Sequence, residues 1–411
     1  MNDRARGPSG AKAPAMSAAL AAAPVWRREP YRLFFPLGAL LAWAGVLHWF
    51  LHSVGLLPDY QPVFHSIVQI QGFMMCFAVG FLFTAIPRRT GTAPPAGWQI
   101  GLGLAAPIGT TVAAWLQRFA LSQFCWLILV VVLITFAVGR LRSGRAARRP
   151  PDSFVWVPLA LLMGCVGALL IGAYGLMGPD YFWLHDLGRL LLLQGMFLGL
   201  VLGVGGLVLP LLIRNDPPPD GGATPRSRGA RLAHLAAAIL LVASFWIENS
   251  VSLRGGYALR AALILVVLMA VGRIWRWPTV PGWHRWLVWL TAWLIPAGYV
   301  LAALFPFEKK AGLHVVFIGG FALMAFAVGT HVTLAHGGYE RTVRGRPWQV
   351  PVFGFLFLLA MVLRALIDFD PARFFLWLGA SAGTFLVATL FWAWLVLPRA
   401  WREAGPEEKL S

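Results

Sequence analysis

The stretch FHSIVQIQGFMMCFAVGFLFTAIPRRTG, Phe64–Gly91, decides the fold. Its apolar run is long enough to cross a lipid bilayer, which takes about 20 residues in a helix, and it ends in a basic turn. Its first turns nevertheless carry His65 and two glutamines, which hydrocarbon does not favour. The stretch therefore predicts a transmembrane helix with functional polar residues near one end.

Runs of this kind recur along the whole chain. Hydrophobic residues make up 59% of the 411 residues and charged residues 12%. The runs are continuously apolar rather than alternating, which indicates helices and not a membrane barrel. We predict an all-α polytopic membrane protein with about twelve transmembrane helices, at residues 31–54, 62–86, 98–117, 121–141, 153–176, 184–213, 230–250, 257–276, 284–305, 312–336, 349–367 and 372–397.

The net charge of +18 follows the same topology. Most of the 34 basic residues fall in every second connection and in the two ends of the chain. This is the positive-inside bias, and it predicts that both termini are cytoplasmic. Because the charge is explained by topology, we expect the lipid bilayer as partner and no nucleic acid.

Composition divides the chain into five parts. Residues 1–24 predict a disordered basic cytoplasmic tail and not a signal peptide, because no compact apolar core precedes a cleavage site. A Pro/Gly-rich cytoplasmic loop at 214–230 separates a first six-helix half, 25–213, from a second, 231–400, and residues 401–411 form a tail. The halves are compatible with an internal duplication, although no residue-level repeat is evident.

Histidines mark a candidate cofactor site. On the predicted topology, five of them lie at the outer side on four helices: His48, His52, His65, His185 and His314. Imidazole is the usual protein ligand of haem iron and suits copper well. The set predicts a metal or cofactor site in the bundle, whereas each histidine alone is also compatible with an interfacial role. None of the three cysteines forms a CxxCH motif, so covalent c-type haem is not expected.

Helix 6 adds the i, i+3 pair Asp186 and Arg189 beside His185. Arg189 is a candidate to hold a haem propionate, and Asp186 could orient a ligating histidine. The alternative is that the two charges neutralise each other at the interface. At inner helix starts, we expect His234 and His284 to be solvated.

Four stretches in order resemble the NnrS family of bacterial membrane proteins: PYRLFFPLGAL (Pro30–Leu40), FHSIVQIQGF with GFLFTAIPRRTG, GGLVLPLLIRN (Gly205–Asn215) and HVVFIGGFALMAFAVGTHVTLAHGG (His314–Gly338). The resemblance implies a b-type haem rather than a c-type one, copper, a role in the nitric-oxide response with nitric oxide as a ligand, and the bacterial inner membrane. It also implies that His65, His314 and His336 occupy the family's histidine positions.

The chain departs from the family pattern in helix 2. Ile67 and Val68 stand where the family has a second histidine and a glutamate, and His331 stands where an arginine is usual. Either one metal site has been lost, or His48, His52 and His185 have replaced its ligands. We favour replacement, because those histidines lie at the same depth.

Two other classes of function stay open from the sequence. A membrane oxidoreductase with a haem–metal pair would need a proton route, and the apolar spans offer few acidic residues. A metal or small-molecule transporter would favour broken helices with paired Gly/Pro interruptions, whereas the prolines here are scattered. A protein that binds haem and copper without classical turnover is the better prediction.

Overall fold

The computed structural model describes residues 22–143, 151–216, 227–402 and 404–408. These residues form helices and contain no strand, so the predicted all-α membrane fold is confirmed. The predicted tails and the 214–230 loop fall partly outside them, at residues 1–21, 217–226, 403 and 409–411. The division into six-helix halves stays a prediction.

Twelve long helices follow one another within the described residues. We number them α1 to α12: Tyr31–Ser53, Pro62–Thr90, Gly97–Trp115, Phe119–Ser143, Trp156–Met177, Pro179–Arg214, Arg228–Ser250, Leu253–Gly272, Trp283–Leu304, Lys309–His336, Gln349–Phe369 and Phe374–Trp401. Eleven of them are long and apolar enough to cross a membrane by length and composition. The exception is α3, which has 19 residues but is less apolar.

Contacts at one end of the bundle show that α3 also crosses it. Arg140, near the end of α4, donates from Nε to the Ala93 carbonyl (2.9 Å) and from Nη2 to the Pro94 carbonyl (2.8 Å), just before α3 begins. The start of α3 and the end of α4 therefore share a face, and α3 must carry the chain to the other face.

The first helix begins and the last helix ends on this same face, which we call the basic face. Arg32 in the first turn of α1 donates from Nη1 to the Ala400 carbonyl near the end of α12 (2.8 Å). Arg88 at the end of α2 binds Glu29 just before α1 (2.9 Å). Because an even number of crossings is needed to return to one face, twelve helices fit this arrangement.

The interior of the bundle is built from α2, α6 and α10. In the most apolar stretch of each, 83%, 72% and 56% of the residues are buried; α1 also reaches 56%, whereas the peripheral α7 reaches 22%. Each of the three also contains a π-helical segment: Val68–Met74, Leu191–Met196 and Val315–Ala322. Such segments are rare and often occur at functional sites. A fourth π-helical segment, Leu268–Gly272, ends α8.

Glycines allow two of these helices to touch their neighbours through the backbone. A Cβ on Gly167 of α5 would lie 2.6 Å from the Gly188 carbonyl oxygen of α6. In the same way, a Cβ on Gly298 of α9 would lie 2.6 Å from the Gly312 carbonyl oxygen of α10. Small residues at such crossings let membrane helices pack closely, because dispersion contacts replace the hydrophobic effect there.

The substitution Gly167→Ala should lower the thermal stability of the detergent-purified protein. The new methyl group would collide with backbone atoms, and overpacking of this kind costs about 1–3 kcal/mol. Gly101→Ala on α3 is the matched control, because a Cβ there meets nothing within 4 Å. Melting curves should show a decrease for Gly167→Ala and no decrease for Gly101→Ala; equal curves would contradict the close packing of α5 on α6.

Candidate functional site

A polar cavity opens inside the bundle, in the half away from the basic face. Its volume is about 290 Å³. Three of the residues predicted to bind a cofactor line it, namely His65, Arg189 and His314. Its other polar lining residues are Tyr60, Ser66, Gln69, Asp186, Gln194, Glu248, Asn249, Tyr257, Lys309, Lys310, Arg364 and Ser381. We call it the outer cavity.

The three π-helical segments begin close to these side chains. The segment in α2 starts one turn after His65, that in α6 two residues after Arg189, and that in α10 directly after His314. A π turn adds a residue to the helix turn and so rotates the preceding residues relative to those that follow. This is how three otherwise regular apolar helices present polar side chains to one cavity.

The imidazoles of His65 and His314 are fixed in the same way. The Nδ1 atom of His65 lies 2.7 Å from the Gly45 carbonyl oxygen, and that of His314 lies 2.7 Å from the Lys310 carbonyl oxygen. A carbonyl oxygen only accepts, so Nδ1 carries the proton and donates it in both rings. In the neutral rings Nε2 keeps its lone pair, which is the arrangement that metal-binding histidines use.

The outer cavity carries a surplus of positive charge. Arg189, Lys309, Lys310 and Arg364 line it, against the carboxylates Asp186 and Glu248. Arg189 forms an ion pair with Asp186 (2.7 Å), and Lys309 Nζ lies 3.5 Å from a Glu248 carboxylate oxygen. Arg364 Nη1 lies 3.4 Å from a carboxylate oxygen of Asp368. Because cations are costly inside a membrane protein unless they have a partner, this surplus fits an anionic ligand.

One wall of the cavity rests on a buried ion pair that sequence reasoning did not identify. Arg260 of α8 is fully buried and binds Glu248 of α7 at 2.9 Å. Its guanidinium also donates to Gln194 Oε1 (2.6 Å) and to Ser244 Oγ (3.1 Å), while the Tyr257 hydroxyl donates to Glu248 (2.6 Å). The network ties α6, α7 and α8 together beside the cavity.

The structure places two of the other predicted ligands near His65. The ring centre of His48 lies 6.1 Å from that of His65, and both His48 nitrogens are buried without a hydrogen-bond partner. His52 donates from Nδ1 to the Leu57 carbonyl (2.9 Å) and contacts Tyr60, a cavity residue. Neither His48 nor His52 lines the outer cavity itself.

The remaining predicted residues lie elsewhere. His185 is buried between Tyr174 and Phe182, with ring centres 5.2 Å away in each case. His336 is at the basic face, where Arg88 Nη1 lies 2.6 Å from its Nδ1. Across the described ranges, no three His, Cys, Asp or Glu residues form a group that could hold one metal ion. The five outer histidines therefore do not form one ligand set.

The positions that depart from the family pattern are part of the core. Ile67 is 3% exposed and Val68 is fully buried, and neither lines the outer cavity. Val68 is also the first residue of the π-helical segment of α2. Ile67 and Val68 therefore pack in the core, at positions where the family pattern has polar side chains.

The prediction that His284 is solvated is wrong. His284 is fully buried, and its Nε2 lies 3.1 Å from Nδ1 of His331. His284 lies in the first turn of α9 and His331 five residues before the end of α10, so two chain segments far apart in sequence meet here. Sequence reasoning also missed Arg364, although a single arginine inside an apolar span was a usable signal.

The fold and the cavity together define a class: a multi-pass α-helical membrane protein with a polar, histidine-containing cavity enclosed by its helices. A family model described as NnrS protein matches residues 25–403. The chain belongs to the NnrS family, and the resemblance seen in the sequence is confirmed. A search of curated proteins finds no match to the chain.

The substitution Arg260→Gln should destabilise the protein strongly. It removes the buried cation of Glu248 and leaves only the partly exposed Lys309 at 3.5 Å, and breaking a buried pair costs about 3–5 kcal/mol. The same change at Arg231 is the control, because Arg231 is 37% exposed where it binds Asp152, and such pairs contribute about 0–1 kcal/mol. Thermal unfolding in detergent measures both; adding Glu248→Gln to Arg260→Gln should restore part of the loss.

Proposed function

We propose that this NnrS-family chain binds a b-type haem in the outer cavity and takes part in the bacterial response to nitric oxide. One observation carries the proposal: two histidines with Nδ1 held by backbone carbonyls and Nε2 unused line a single cavity enclosed by membrane helices. Haem iron takes histidine Nε2 as an axial ligand. His65 and His314 are the ligands that we propose.

The charges around the cavity support a ligand with two carboxylates. Haem carries two propionates, and the four cations on the cavity wall exceed the two carboxylates by two. Arg189 is partly exposed even when bound to Asp186, so its guanidinium has donors left for a second acceptor. We assign propionate binding to Arg189 and Arg364, with Lys309 and Lys310 nearby.

Apolar residues supply the rest of the wall. Ile70, Leu193, Leu313, Phe317 and Ile318 belong to the three interior helices and line the same cavity. Such a wall excludes water from a bound macrocycle and leaves the histidines and cations as its polar contacts. A bound haem would supply iron as the site for a diatomic gas such as nitric oxide, which would have to displace His65 or His314 from it.

Copper is the second cofactor that we propose. No three His, Cys, Asp or Glu residues form a metal site in the described ranges, so His48 is proposed as one copper ligand and not as a complete site. Both His48 nitrogens are buried and unpaired, which leaves a donor and an acceptor unsatisfied at an energetic cost. A neutral imidazole nitrogen is a good copper ligand. Copper analysis of His48→Ala against the unchanged protein tests this assignment separately from haem.

The first measurement is an absorption spectrum of the purified protein, oxidised and dithionite-reduced, with iron analysis of the same sample. We expect a Soret band, sharpened α and β bands on reduction, and iron near one equivalent. Because both imidazoles would hold the iron, His65→Ala and His314→Ala should each shift these bands or abolish them.

The control for these variants is His234→Ala. His234 accepts a hydrogen bond from Trp156 Nε1 (3.1 Å) on the side of the basic face and does not line the outer cavity. Its haem content should equal that of the unchanged protein. Haem content that is unchanged in both His65→Ala and His314→Ala would contradict the ligand assignment, and absence of haem from the unchanged protein would contradict the proposed function.

We also propose that the basic face is cytoplasmic and that the protein lies in the inner membrane. The positive-inside bias supports this orientation. Alkaline phosphatase fused after Tyr60, between α1 and α2, or after Asp180, at the start of α6, should therefore be active in a bacterial host. Fusions after Asp216 should be inactive; the reverse pattern would place the outer cavity on the cytoplasmic side.

A further inference from the structure

A second cavity lies on the axis of the bundle, between the outer cavity and the basic face. Its volume is about 120 Å³. Its lining side chains are apolar or are glycines, and they come chiefly from α2, α6 and α10: Phe35, Met74, Phe77, Ala78, Phe81, Leu82, Phe197, Leu200, Val201, Val204, Gly205, Val208, Leu209, Val288, Phe321, Met324, Ala325, Val328 and Gly329. We call it the inner cavity.

The inner cavity adjoins the outer one. Met74, the last residue of the π-helical segment of α2, lines both. Beside it, the rings of Phe197 and Phe321 pack with their centres 4.9 Å apart. A methionine side chain has three rotatable bonds and adapts its shape readily. A small molecule could pass from one cavity to the other by displacement of this side chain.

The chemistry of the walls selects the occupant. A buried water needs about two to four polar partners, and the side chains here offer none. An apolar cavity of about 150 Å³ stays dry and takes one benzene or a xenon atom. A space of 120 Å³ is therefore large enough for a small apolar molecule, and it is open on one side, because Ala78, Phe81, Val204 and Val208 of its wall are partly exposed.

We propose that the inner cavity is a binding site for a small uncharged apolar molecule, the class to which the diatomic gases belong. Such molecules concentrate in the apolar interior of a membrane rather than in water, and the inner cavity lies among the membrane helices. The site would hold a gas next to the outer cavity. This role, though not the binding itself, rests on the proposed haem function.

Xenon is the probe, because it is apolar, uncharged and needs no haem. We expect the ¹²⁹Xe NMR signal of the purified full-length protein to show a bound site that Val204→Phe removes by filling the cavity. The matched control is Val266→Phe on α8, where the side chain is 66% exposed on the outside of the bundle and lines neither cavity. Ala325→Phe is a second filling variant, for use if Val204→Phe does not fold.

Xenon binding that survives in a folded filling variant, or that Val266→Phe removes equally, would overturn the proposal. Binding that appears only after lipid is stripped from the protein would overturn it as well, because a lipid would then be the occupant. The xenon signal does not depend on haem. Xenon bound to a protein that contains no haem would therefore support the inner-cavity site and contradict the proposed function.

Discussion

A polar side chain inside a membrane needs a hydrogen-bond or charge partner from the protein itself, because the hydrocarbon contains no water that could serve instead. Most of this structure follows from that constraint. Arg260 binds Glu248, Gln194 and Ser244, and Gln71 and Gln123 exchange two amide hydrogen bonds (2.7 and 3.1 Å) between α2 and α4. Helices that carry such groups turn them inward, and the least polar surfaces are left to the lipid.

The same constraint shapes the outer cavity. His65 and His314 satisfy one ring nitrogen each with a backbone carbonyl, and this bond also sets the tautomer and holds the ring in place. The second nitrogen is left for a ligand. Rigid support of this kind is what a cofactor site requires, since ligands held by packing and hydrogen bonds need little reorganisation on binding.

The cavities also depend on irregular helices. Regular α-helices with apolar side chains would close the centre of the bundle, whereas the π-helical segments of α2, α6 and α10 change the register of the side chains at one depth. In these helices the outer cavity is lined by residues before and within the segments, and the inner cavity by residues within and after them. Met74 belongs to both cavities. One backbone feature therefore separates a charged space from an apolar one.

Much of the fold could be predicted from the sequence, because hydropathy is a local property. Each of the twelve predicted spans coincides with a helix, and arginines such as Arg88 and Arg140 do gather at one face. Depth in the membrane could be predicted as well, since position along a span gives height. His65 and His314 were placed at one level in this way, and both line the outer cavity.

What depth does not give is position around the bundle. His185 lies at a similar height to His65 along its helix, yet its ring faces Tyr174 and Phe182 and not the outer cavity. Nor could the sequence predict that His284 pairs with His331 or that Arg260 pairs with Glu248. The sequence by itself determined which segments cross the membrane and how deep each polar residue lies. Only the tertiary structure decided which of them meet, because lateral contact depends on helix rotation and packing between segments far apart in the chain.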